Sequence, residues 1–136
     1  MSSLVNSFSI IHRQSAIMLD KQLKSMDISV GQFMAILCIC ETEGLSQEQV
    51  ATRLRIDKGA VARTVRQLME AGYVTRCVSR EDRRQYQLFP TEKARAVHAG
   101  IVQITDSWEK SLTGGLTDIE ADLLRNLLDK VVAQLV

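Results

Sequence analysis

Between Gly72 and Thr91 the apolar spacing of this 136-residue chain changes from a period near 3.6 to a period of 2, and then changes back. Tyr73–Val78 and Gln85–Phe89 alternate and are rich in Val, Tyr, Leu and Phe, which predicts two short strands. The stretch that joins them, Ser79-Arg80-Glu81-Asp82-Arg83-Arg84, is wholly polar. One β-hairpin with a charged tip therefore stands inside a chain that otherwise reads as helix. Pro90 closes the second strand, and Thr91 opens a long helix.

The helix starts are marked by capping boxes at Ser29-x-x-Gln32, Ser46-x-x-Gln49 and Thr117-x-x-Glu120. A first helix is expected from about Leu4 to Ser25, with Leu4, Phe8, Ile11, Met18 and Leu23 near helical spacing. A second follows Ser29, turns Phe33, Met34, Leu37 and Cys40 inward, and ends near Gly44. A short third helix from Ser46 buries Val50 and Leu54. After Arg55-Ile56-Asp57 a fourth runs to Ala71, where Gly72 is its natural stop. The helix after Thr91 carries the stripe Val97, Ile101, Ile104, Trp108 and Leu112 and breaks at Gly114-Gly115. The last helix is apolar at Ile119, Leu123, Leu124, Leu127, Leu128, Val131, Val132 and Leu135. That stripe is wider than a terminal helix of a small domain can bury by itself. Burial against a second subunit is expected, with Leu4, Phe8, Ile11, Trp108, Leu124, Leu128, Val131 and Leu135 in the interface. Packing within one chain is the alternative.

The fold class is thus mainly α with a small β-hairpin: about six helices forming an intertwined dimer through the terminal ones. The whole chain, 1–136, suits one domain. Residues 29–90 are expected to form one part of it, with the hairpin, and 1–28 and 91–136 its dimerisation part. With 46 % apolar residues a core needs no disulfide, and three cysteines, Cys38, Cys40 and Cys77, are an odd number without a framework. A reducing cytoplasm fits that usage. The N-terminal stretch lacks the pattern of a secretion signal, and no run of 18 apolar residues predicts a membrane span.

Net charge is +1, which alone argues against a nucleic-acid partner, but its distribution does not. The window from Arg53 to Arg84 holds nine basic and four acidic residues, a net +5, and leaves the remainder at −4. A localised basic segment is the footprint of a face that contacts DNA. The third and fourth helices form a helix-turn-helix, and the hairpin that follows makes it winged. At roughly 100° per residue, Val61, Val65 and Leu68 share one side of the fourth helix, and Gly59, Arg63, Arg66 and Glu70 the other. Lys58 and Ala62 flank the outward side. Guanidinium groups there can contact guanine O6 and N7 or clamp a phosphate. Gly59 permits close approach of backbone to DNA, and the helix's first amides favour a phosphate. At the hairpin tip Arg80, Arg83 and Arg84 stand where a plain turn would favour Asn-Gly or Asp-Gly. An arginine on a wing can enter a minor groove, and Asp82 can pair with one to hold the tip in shape.

The run Asp82-x-Arg84-x-x-x-Leu88-x-x-Thr91, after Leu68-Met69-Glu70-Ala71-Gly72-Tyr73-Val74-Thr75-Arg76, resembles the wing motif and preceding segment of the MarR family of regulators. Helix order and length match across essentially the whole chain. The resemblance implies a homodimer with interlocking first, fifth and sixth helices, bound to double-stranded DNA at a pseudo-palindromic operator. It implies a base-reading arginine at Arg63, a minor-groove arginine at Arg84 and Arg76 near the DNA backbone. Ser46, Gln47, Lys58, Gly59, Ala62, Arg66 and Arg83 complete the expected DNA-facing set, with Asp82 stabilising the wing. It also implies repression relieved by a small aromatic or phenolic effector. This chain departs from the family at Gly59, Ala60 and Ala62, where relatives often carry Ser or Thr, and at Pro90 and Ala94.

No metal or other cofactor is expected. Cys38 and Cys40 are two apart on a helix and point to different sides, and His12, His98 and Glu41 supply no ligand spacing. No base–nucleophile set or phosphate loop is present, so an enzyme is not expected. Two alternatives stay open: a winged-helix module that binds protein, and a regulator that senses redox state through a thiol such as Cys77.

Overall fold

Helices begin where a short polar side chain can take amides that the first turn leaves without partners. In the computed structural model, which describes residues 3–135, α1 (Leu4–Leu23) starts after Ser3, whose Oγ accepts from the Asn6 amide at 3.1 Å. One 3-10 turn, Lys24–Met26, follows it. α2 (Val30–Glu41) starts after Ser29, whose amide donates to Gln32 Oε1 at 3.1 Å. α3 (Gln47–Leu54) has both halves of its box: Ser46 N donates to Gln49 Oε1 at 2.9 Å, and Gln49 N returns to Ser46 Oγ at 3.1 Å. α4 (Lys58–Glu70) is capped by Asp57, whose Oδ2 accepts from Gly59 and Ala60 amides at 3.0 and 3.3 Å. β1 (Val74–Val78) and β2 (Tyr86–Pro90) pair antiparallel, with Val74 opposite Pro90 and Val78 opposite Tyr86. α5 (Glu92–Thr113) and α6 (Asp118–Gln134) complete the order, and the Thr117–Glu120 box opens α6. Compact packing divides the described residues into two units, between Ile104 and Thr105.

In the first unit the core gathers Leu19, Leu23 and Ile28 with Phe33, Ile36 and Ile39 of α2, Val50 of α3, Val61, Val65 and Leu68 of α4, and Ile101 of α5. The hairpin joins this core through its base. A two-stranded hairpin is marginal in water alone, so burial of Val74 and Leu88 anchors it. Leu88 N donates to Leu45 O, and Gly44 N to Leu88 O, both at 2.8 Å. The wing is thereby stitched to the segment just ahead of α3. Gly44 makes that turn with φ 90°, and Gly72 ends α4 with φ 83°, conformations that side chains rarely adopt. Tyr73, buried between α4 and the wing, donates its hydroxyl to Met26 O at 2.9 Å. Burial, with Asp27 nearby, pushes this phenol up, which keeps it a donor. Thr91 Oγ1 donates to Gly72 O at 2.6 Å and accepts from the Ala94 amide at 3.3 Å, tying the start of α5 to the end of α4.

Several boundaries and faces differ from the sequence expectation. α1 stops at Leu23, because the chain tightens into the 3-10 turn before a left-handed Asp27 with φ 55°. On α1, Ser15, Leu19 and Leu23 are buried, whereas Leu4, Phe8 and Ile11 are exposed and Met18 is half-buried. α2 ends at Glu41, and it buries Ala35, Ile36, Cys38 and Ile39 beside Phe33; Met34 is exposed, and Leu37 and Cys40 are half-buried. α2 packs on α1, α3, α4 and β2, so nearly every side is apolar and its periodicity marks no single face. Leu54 is half-buried, and Ala51 is buried beside Val50. Gln85 belongs to the tip loop, and Pro90 lies within β2.

In the second unit the end of α5 and α6 form a helical hairpin around the Gly114-Gly115 break. Arg125 fastens it, with Nε 3.1 Å from Glu109 Oε1 and Nη1 3.1 Å from Asp122 Oδ1. On α6 only Ala121 is buried among the described residues, and Ile119, Leu123, Leu124, Leu127, Leu128, Val131 and Val132 are exposed. Among the described residues, no single helix is long and apolar enough to cross a membrane.

Candidate nucleic-acid interface

The apolar ridge of α4 decides which of its charged residues meet solvent. Val61, Val65 and Leu68 are buried against the first unit's core, and Gly59, Arg63, Arg66 and Glu70 are exposed. Arg63 and Arg66 thus project from the outer side of the second helix of the helix-turn-helix. Ala62 is half-buried and lines a cavity of about 260 Å³ with Gln47, Arg66 and Arg76. That cavity joins the start of α3, the side of α4 and the inner face of β1. Gln47 and Ser46 are half-buried, and the Ser46 hydroxyl already accepts the Gln49 amide.

The wing tip is braced internally and stays in solvent. Ser79 N donates to Gln85 O at 2.9 Å, Gln85 N to Asp82 O at 3.0 Å, and Asp82 N to Ser79 Oγ at 3.3 Å. Asp82 Oδ1 then accepts from both Arg84 N at 3.0 Å and Arg84 Nε at 3.2 Å. The Arg84 side chain is nevertheless 91 % exposed, so its guanidinium edge is free of the protein body. Arg80 and Arg83 are exposed beside it. Asp82 therefore bonds to both the backbone and the side chain of Arg84. Lower in the wing, the Arg76 guanidinium lies 4.3 Å from the centroid of the Tyr86 ring. Stacking of this kind holds an arginine in place while its N–H edge remains available.

Three features were not anticipated from sequence. Asp57 takes the Gly59 and Ala60 amides, so these first amides of α4 are occupied by the protein's own carboxylate. A Cβ at residue 59 would lie 3.0 Å from Asp57 Oδ2, which gives Gly59 a local reason besides approach to DNA. An Asp just ahead of an apolar-periodic run is itself a cap signal and could have found it. Tyr86 stacks on Arg76 and joins Ser46, Gln47, Glu48, Arg84 and Gln85 around a second notch. Lys58 is not a free cation, since its Nζ is 3.0 Å from Glu48 Oε1. Glu48 lies ahead of the basic window, so counting charges along the chain could not pair the two.

The thiols divide by burial. Burial pushes the Cys38 and Cys40 thiols up, against the lowering pull of Arg53 and Arg95 respectively, while Cys77 is exposed. Among the described residues no group of three or more His, Cys, Asp or Glu side chains is placed to hold a metal ion.

A short helix, a turn through left-handed Arg55, an arginine-bearing helix and an adjoining basic β-hairpin define a winged helix-turn-helix. Comparison with known proteins places it further. The model described as MarR family matches residues 26–85, the stretch from the 3-10 turn to the wing tip. The HTH-type transcriptional regulator YybA of Bacillus subtilis is 24 % identical over 131 residues, 96 % of this chain and 87 % of that protein. A MarR transcriptional regulator from Methanosarcina mazei superposes with a TM-score of 0.88 at 28 % identity, over 96 % of this chain and 94 % of that one. A MarR-family regulator from Listeria monocytogenes, complexed with 26mer DNA, superposes with a TM-score of 0.92 at 25 % identity, over 98 % of this chain and 89 % of that one. Residues 26–85 thus resemble the MarR family, and the chain is a winged helix-turn-helix transcriptional regulator.

Proposed function

We propose that this protein binds a pseudo-palindromic operator in double-stranded DNA as a homodimer and represses transcription there. Each subunit sets α4 in the major groove, where Arg63 reads base edges, and its wing in the adjacent minor groove, where Arg84 reads width and potential. Ser46, Gln47, Arg66, Arg76 and Arg83 contact the phosphate backbone around these two insertions, with Gly59 and Ala62 keeping the helix surface low and Lys58 on the same surface in its pair with Glu48. The observation that carries this is the joint presentation of exposed Arg63 and Arg66 on α4 and braced, exposed Arg84 on the wing. The complex of the Listeria relative with 26mer DNA supports the same mode of action.

Residues 29–90 are the DNA-binding part, and 1–28 and 91–136 the dimerisation part. Dimerisation is supported by two exposed apolar faces, Leu4, Phe8 and Ile11 on α1 and Leu124, Leu128 and Val131 on α6. Monomeric soluble proteins rarely leave contiguous faces of that kind in water. Trp108 is half-buried and Leu135 exposed, and both belong to the same proposed interface. Two-fold symmetry then places the half-sites about one helical turn apart, ~10 bp centre to centre. Family likeness supports release of the operator by a small aromatic or phenolic effector.

The test is fluorescence anisotropy with a duplex selected from a random pool by the wild-type protein and a scramble of the same composition. Arg63→Ala should cost about 1–3 kcal/mol on the selected duplex and little on the scramble. Equal losses on both would refute base reading by Arg63.

A further inference from the structure

We propose that Glu48 restrains the affinity of this regulator for DNA by holding Lys58 in an ion pair on the DNA-facing edge of the helix-turn-helix. The inference rests on the DNA-binding function given above and concerns how strongly that surface engages phosphates. Lys58 opens α4 and Glu48 sits in the first turn of α3, and their charged atoms are 3.0 Å apart. Their side chains are 75 % and 59 % exposed, so the pair lies on the surface. Such exposed pairs add little to fold stability. What this one does is neutralise a cation on the surface that Arg63 and Arg84 share.

The position of Glu48 makes the effect specific. The same residue lines the notch with Ser46, Gln47, Arg84 and Tyr86, between the start of α3 and the wing. A carboxylate there meets any duplex that the wing and α4 straddle. For Lys58 to reach a phosphate, the pair must open, and Glu48 must then face the polyanion unneutralised. This penalty depends on phosphates alone and is the same for every base sequence. Glu48 therefore sets the strength of binding, and Arg63 the choice of site. A regulator restrained in this way leaves its operator more readily than one whose cations are all engaged.

Glu48→Gln keeps the side chain's size and removes its charge. A phosphate contact contributes about 0.9 to the slope of log affinity against log salt, so freeing one lysine should tighten binding about eightfold per subunit at 0.1 M salt. The slope should steepen by about one per subunit. The selected and scrambled duplexes should gain alike. In a Lys58→Met background, Glu48→Gln should steepen the slope by less than in the wild type, since the cation it would free is gone and only the repulsion between Glu48 and phosphates is relieved. Thermal unfolding is followed on each variant to confirm that it is folded. An unchanged slope for Glu48→Gln would overturn the proposal. So would a selective loss on the selected duplex, which would make Glu48 an attractive base contact, or the same gain without Lys58. A wild-type protein that binds neither duplex sinks the DNA-binding function itself; a wild type that binds while Glu48→Gln is silent sinks this inference alone.

Discussion

Replacing Asp82 by Ala should weaken operator binding while leaving the fold as stable as before. Asp82 Oδ1 accepts from both the amide and the Nε of Arg84, so one carboxylate oxygen fixes the backbone and the side chain of the residue at the wing tip. Immobilising a long side chain on binding costs about 0.5–1.5 kcal/mol. In the native wing part of this cost is met before DNA arrives, and in Asp82→Ala it falls on the binding step. Affinity should drop by about two- to twelvefold per wing, from the same 0.5–1.5 kcal/mol. A competing term works the other way, because the substitution removes a negative charge near DNA. At about 10 Å in water that repulsion is worth about 0.4 kcal/mol before screening, and salt reduces it further. The brace therefore outweighs the charge. Fold stability should change by less than about 0.5 kcal/mol, since the Arg84 side chain is 91 % exposed and exposed pairs contribute little. Anisotropy against the selected duplex reads affinity, and thermal melting reads stability. Asp82→Asn, which keeps an acceptor in place, should lose less than Asp82→Ala. Two results would refute the reasoning: Asp82→Ala binding as tightly as wild type, or losing as much in an Arg84→Ala background, where no arginine remains to brace.

Other consequences follow from the terminal helices, the thiols and the cap of α6. Leu128→Asp with Val131→Asp should convert the proposed dimer into a 15.2 kDa species by sedimentation equilibrium, and a wild type of that mass at every concentration would defeat that proposal. Cys77 should be alkylated by a maleimide before Cys38 and Cys40, whose thiols burial pushes up, and faster labelling of Cys38 would contradict this. The Thr117 amide, and then its hydroxyl hydrogen bond, hold the Glu120 carboxyl below its ordinary range. A carboxyl depressed in the folded state stabilises above its unfolded pKa, and that contribution is lost as pH falls through the folded value. Nuclear magnetic resonance titration should show the Glu120 pKa rising towards the ordinary carboxylate value in Thr117→Ala, and acid should fray the start of α6.

Local chemistry carried much of this protein in its sequence. Caps at Ser29, Ser46 and Thr117, the stop at Gly72 and the change of period at the hairpin each depend on residues a few positions apart, so neighbours along the chain disclose them. The outward side of α4 was legible for the same reason: its ridge is narrow and its opposite side is charged. Tertiary packing decided what those signals left open. α2 is apolar on nearly all sides, and only its contacts with four other elements chose Ala35, Ile36 and Ile39 over Met34 as core. The pairing of Lys58 with Glu48 and the stacking of Arg76 on Tyr86 each join residues ten apart, on different helices in one case and different strands in the other. Electrostatic and stacking partners are chosen by distance in space, and a linear pattern of charges does not encode that distance.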